Sequence, residues 1–144
     1  MSQIPNCSED TDFHTLNPGF NPREVENIFV KNNAVIAGLM PVMLEELLPR
    51  LSWFWDHQTR HTPEIGRLVI TSGREGTHSK NSRHYLGLAV DLRTRHMSKK
   101  AIYRVCSDLQ EYLNDRWRVV IRSNCLHIQF QGSVVPTIEG TVYG

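Results

Sequence analysis

Three side chains able to bind a transition metal, His84, Asp91 and His127, stand where a folded sheet could bring them together. His84 precedes Asp91 by seven residues, and Gly87 between them lets the chain bend back so that a loop histidine reaches a strand carboxylate. Zinc accepts imidazole nitrogen and carboxylate oxygen at about 2.0 to 2.2 Å, and catalytic zinc sites use three protein ligands with water in the fourth position. Two histidines and one aspartate suit that count. The same spacing also suits a metal-free arrangement: a surface His84, an Asp91 paired with Arg93, and a half-buried His127.

The elements that must position these residues are legible in the apolar pattern. In LAVDLRT from Leu88, alternation sends Leu88, Val90 and Leu92 to one face and Ala89, Asp91 and Arg93 to the other. The run Cys125 to Phe130 does the same, with Leu126, Ile128 and Phe130 toward a core and Cys125, His127 and Gln129 opposite. Arg67 to Thr71 is a further β-branched strand, and Trp117 to Ile121 pairs with the His127 strand through a tight turn or forms with it one bulged strand. Between Pro41 and Gln58, apolar residues recur at helical spacing, with Pro49 inside the pattern predicting a kink or two helices. A second helix is predicted over residues 98 to 114, capped by Ser98. Residues 1 to 22 read as an irregular arm, leaving 23 to 144 as a single domain.

Composition narrows the function classes. The chain has 144 residues, 40% apolar and 22% charged, enough to build a core without disulfide support. A formal charge of +1 gives no field for gathering phosphates, so nucleic acid is not an expected partner. The start, MSQIPNCSEDTDF, lacks a basic segment followed by an apolar run, and no stretch approaches a membrane span; synthesis as a soluble cytoplasmic product is expected. Cys7, Cys106 and Cys125 are odd in number with no CxxC pair, and reduced thiols are expected.

A longer pattern joins these residues: Thr71-Ser72-Gly73-Arg74, then Ser82-Arg83-His84-Tyr85-Leu86-Gly87-Leu88-Ala89-Val90-Asp91, then Leu126-His127-Ile128. It resembles the SG(x)R segment, the SxHxxGxAxD motif and the distal zinc histidine of the D-alanyl-D-alanine carboxypeptidase and phage endolysin metallopeptidases, over about residues 67 to 131. The resemblance implies an α+β fold, a small antiparallel sheet flanked by helices as in the hedgehog signalling domain, and Zn2+ held by His84, Asp91 and His127. It implies hydrolysis of peptide bonds next to D-amino acids, a peptidoglycan peptide as partner and the cell wall as site of action. Arg74 would hold a substrate carboxylate or polarise the scissile carbonyl, or else be a solvated loop residue. Ser82 would position the loop or the substrate, or simply cap its own backbone.

The chain departs from that family where catalysis needs a proton acceptor. The family's general base, three residues before the distal histidine, is here Asn124, which cannot take a proton. A histidine two residues before the ligand is here Cys125, and acidic positions around the site are matched by Arg122, Asn124 and Gln129. Three readings follow: an active peptidase drawing its base from Glu75 or Glu139; a zinc-containing peptide-binding module, with Cys125 as a possible fourth ligand; or a structural protein with a vestigial site.

Overall fold

The computed structural model describes residues 14–15, 28–75, 78–132, 134–136 and 141–143. Within the expected irregular arm, His14–Thr15 is a short strand, β1, and the rest of residues 1 to 22 lies outside the described residues. Strands β2 (Ile28–Val30), β3 (Leu68–Ser72), β4 (Ala89–Arg93), β5 (Trp117–Ile121) and β6 (Cys125–Phe130) complete a six-stranded sheet in the order β1-β2-β3-β4-β6-β5. A separate antiparallel pair joins β7 (Val134–Pro136) to β8 (Thr141–Tyr143).

The architecture is mixed α+β, and one expectation about it is corrected. The sheet is not purely antiparallel, because β2 runs parallel to β3. A parallel neighbour needs a long crossover, and the chain supplies it with a helix between the two strands. That helix, α1, spans Leu48–His61 and follows a π-helical segment, Met43–Leu47. Pro49 therefore causes no break: it sits at the start of α1, and the wider π turn before it, closed by the Leu48 N–H to the Met43 carbonyl, makes room for a ring that would clash in a regular helix. Thr62 leaves helical geometry at φ −137° and ψ 73°, as the residue before Pro63 should, and α1 ends there.

The second helix, α2 (Lys99–Leu113), starts as expected at Ser98, whose hydroxyl accepts the Ala101 N–H. Leu48, Leu51, Phe54 and Trp55 of α1 and Ala101, Val105, Leu109 and Leu113 of α2 share one buried cluster with Ile28, Val30, Ile70, Val90, Leu92, Leu126, Ile128 and Phe130. Each fully buried leucine here is worth about 1.5–3 kcal/mol over leaving it in water. Gln110 of α2 also closes the β5 edge, its Oε1 accepting the Val119 N–H and its Nε2 donating to the Trp117 carbonyl. Both helices thus cover one face of the sheet, and the alternate residues of β4 and β6 are left to face the other way. Among the described residues no helix is long and apolar enough to cross a membrane.

Candidate metal centre

Asp91 and His127 are direct cross-strand partners in the β4–β6 ladder, and this register is what the core alternation of the two strands requires. Ser72 joins the same row opposite Asp91, although Ile70, two residues earlier, faces the core. A bulge between Ile70 and Ser72 makes the difference by adding one residue and turning Ser72 over.

His84 comes to this row from a short 3-10 turn, Arg83–Leu86. Ser82 caps the turn, its hydroxyl accepting the His84 N–H, so the Ser82 side chain is used on its own loop. Gly87 ends the turn at φ 72°, with its N–H bonded to the His84 carbonyl. The backbone of residues 35–40 lies directly beneath: an added Cβ at Gly87 would stand 2.3 Å from the Gly38 carbonyl oxygen, and one at Gly73 would stand 2.1 Å from that of Val35. Gly87→Ala combines a left-handed backbone with a backbone clash and is expected to destabilise the fold by at least about 2 kcal/mol. Equilibrium urea unfolding of the two proteins measures it, and a loss under half that amount would mean that the segment beneath can yield.

Three donor atoms converge at the end of this construction. His84 Nε2 lies 3.2 Å from Asp91 Oδ1 and 3.1 Å from His127 Nδ1, and His127 Nδ1 lies 3.0 Å from Asp91 Oδ1. All three residues are buried, with His84 and His127 each only 1% exposed, which removes the surface-histidine reading. The opposite nitrogen of each ring is already committed. His84 Nδ1 donates to the Gly73 carbonyl at 2.7 Å, and His127 Nε2 donates to Gln129 Oε1 at 2.9 Å. Gln129 is held with its oxygen toward the ring because its amide nitrogen donates to Gln131 Oε1. Each imidazole in that tautomer turns a bare lone pair inward, toward a carboxylate oxygen that also carries lone pairs.

Two imidazole lone pairs and a carboxylate oxygen at 3.0–3.2 Å repel one another unless a proton or a metal ion lies among them. A tetrahedral centre with bonds of about 2.0 to 2.1 Å separates its donor atoms by about 3.3 Å, so the triangle needs to open only slightly. The residues present fit a metal ion. Burial alone would raise the Asp91 carboxyl, but hydrogen bonds from His127 and His84 and their charges, which protons on the inward ring nitrogens supply where no metal does, outweigh it and hold Asp91 at about 2. It is therefore an anion at neutral pH, the state a cation needs.

A fourth side chain that spacing did not single out sits beside two of these, His84 and Asp91. A ring nitrogen of His78 lies within 4.8 Å of the donor atoms of His84 and Asp91, so His78, His84 and Asp91 also form a group that could hold a metal ion. Burial, then the neighbouring His84, lowers the His78 pKa. His78 stands in a polar stretch without periodicity, where no sequence signal marks it; Gln129, by contrast, shares the His127 face by simple alternation.

The other expected site residues divide. Arg74 is exposed beside Gly38, and among the described residues its guanidinium has no partner. Asn124 lies in the turn before β6, its carbonyl accepting the Thr94 N–H, and its side chain makes no hydrogen bond to the three donors. Cys125 is buried on the His127 strand and disulfide-bonded, which corrects both the expected reduced thiol and the idea of Cys125 as fourth ligand: a sulfur in a disulfide is not a thiolate. Cys106 is free. Glu75 is occupied in accepting the Gly73 N–H at 2.7 Å, and Glu139 lies outside the described residues.

Comparisons with family models, with curated proteins and with solved structures give no match to the chain.

Proposed function

We propose that the chain is a zinc metallopeptidase-like domain, with Zn2+ held by His84 Nε2, Asp91 Oδ1 and His127 Nδ1, acting on peptide bonds next to D-amino acids in bacterial cell-wall peptides. The observation that carries the metal is the convergence on one point of a carboxylate oxygen and two imidazoles whose other nitrogens are tied outward. The substrate class rests on the SG(x)R, SxHxxGxAxD and distal-histidine resemblance, and with it a hedgehog/DD-peptidase-like fold. Zinc is favoured over magnesium or calcium because two of the three donors are imidazole nitrogens, while the hard cations take oxygen.

Bound there, zinc supplies a Lewis acid for a carbonyl and a water of lowered pKa. The chain's own residues then have separable tasks. Gly73 and Gln129 hold the two imidazoles in register. Arg74, exposed and without a partner among the described residues, would take a peptide carboxylate through a bidentate charge-assisted contact, as the resemblance implies. Asn124 matches the family's base position in sequence but cannot accept a proton, and this favours a second reading, a zinc-containing module that binds cell-wall peptides with little turnover.

Purified muropeptides incubated with metal-free and zinc-loaded protein separate the two. Zinc-dependent product release supports the peptidase, while zinc-dependent binding without release supports the module. Neither effect, at one bound zinc per chain, sinks the cell-wall assignment and leaves the metal centre standing.

A further inference from the structure

His78 is the best-fastened residue around the centre that the proposed ligand set does not use. Its ring lies face to face with that of His84, centroids 3.8 Å apart and planes within 6°. Hydrogen bonds to three neighbours, Glu75, Ser72 and Tyr85, hold it there. Its Nε2 donates to the Glu75 carbonyl at 2.8 Å, with Ser72 Oγ at 3.3 Å. Its backbone N–H donates to the Tyr85 hydroxyl at 2.6 Å, and that hydroxyl donates back to the His78 carbonyl at 2.9 Å. Tyr85 is the neighbour of His84, so the latch ties the His78 loop to the turn that carries the ligand.

The stacking geometry decides whether His78 is itself a ligand. A metal held by His84 Nε2 would be expected in the plane of the His84 ring. The His78 plane is parallel to it and displaced by the stacking separation, whereas imidazole ligation puts the metal in the ring's own plane at about 2.0 to 2.1 Å. A stacked His78 therefore offers the metal its face, not its lone pair.

We infer that His78 is a positioning residue: its stacked ring, fastened by Tyr85 and Glu75, fixes the orientation of the His84 imidazole toward the metal position and does not coordinate. This rests on the metal-centre reading for its consequence, and the stacking itself is tested apart from any metal. Residues that orient metal ligands typically contribute about 10–100-fold in affinity. His78→Ala should weaken zinc binding by about that factor, and His78→Phe, which keeps a flat ring and discards both nitrogens, should recover most of the loss.

The test is chelator-competition titration of zinc into wild type, His78→Ala and His78→Phe, with the His84 imidazole resonances of each metal-free protein recorded by NMR and assigned from a His84→Ala spectrum. A ring-current shift at His84 that is lost in His78→Ala and kept in His78→Phe, together with rescued affinity, is the expected result. Phenylalanine binding zinc as poorly as alanine would make a His78 nitrogen a ligand and overturn the inference, as would an alanine variant with wild-type affinity. If wild type binds no zinc, the metal-centre reading falls, and the inference stands or falls on the metal-free resonances alone.

Discussion

Asp91→Asn is expected to abolish stoichiometric zinc binding while leaving the fold intact. Asparagine matches aspartate in shape but presents a neutral oxygen to two imidazoles whose other nitrogens are already tied to Gly73 and Gln129. The loss should exceed the about 10–100-fold that an orienting residue costs, because a charged ligand itself is removed. A metal that binds only the native state stabilises it by mass action, about 4 kcal/mol at a free concentration about 1,000 times Kd. For a chain of this length that corresponds to roughly 8–16 °C in Tm. Wild type should show this zinc-dependent rise, and Asp91→Asn should melt at one temperature with or without zinc. A variant that still binds one zinc per chain, or a wild type whose Tm is indifferent to zinc, removes Asp91 from the ligand set.

Asn124→Asp is expected to raise turnover of cell-wall peptides by at least about tenfold, within the about 10²–10⁴ that positioned acid–base catalysis contributes. Strand pairing begins at Cys125, so Asn124 belongs to the turn, and the alternation that sends Leu126 to the core does not bind it. A carboxylate there can take a proton from a water and return it to a leaving amine, which the amide cannot. Because Cys125 is disulfide-bonded, its sulfur does not compete for the fourth metal position, and the single substitution is sufficient. Product release from muropeptides at equal zinc loading measures the change. Brisk wild-type turnover that the substitution leaves unaltered would place the base on another residue.

The parts of the centre that lie on regular strands were readable from residue order alone. Asp91 and His127 each alternate with core residues, and once Val90 and Leu92 are committed to the same core as Leu126 and Ile128, Asp91 and His127 must share the opposite face. The two helices were equally legible, since their apolar residues recur at the helical period and Ser98 is a local start signal. Gly87 announced a turn because only a residue without Cβ sits easily at positive φ.

What residue order left open depended on contacts between distant segments. Ile28–Val30 is too short to signal a strand by itself and becomes one by pairing in parallel with Leu68–Ile70, across the whole of α1. The bulge that turns Ser72 toward the site follows from fitting β3 to β4, and the π turn before Pro49 follows from keeping both halves of a helix on one core. Pairwise contacts through space also brought His78 onto His84 and set Gln129 against His127 Nε2. Sequence alone determined which residue types could form the centre and which face two of them occupy, because alternation and helical period are local. Tertiary structure decided that three donor atoms meet at 3.0–3.2 Å, because the approach of each imidazole is set by carbonyls and side chains that come from elsewhere in the chain.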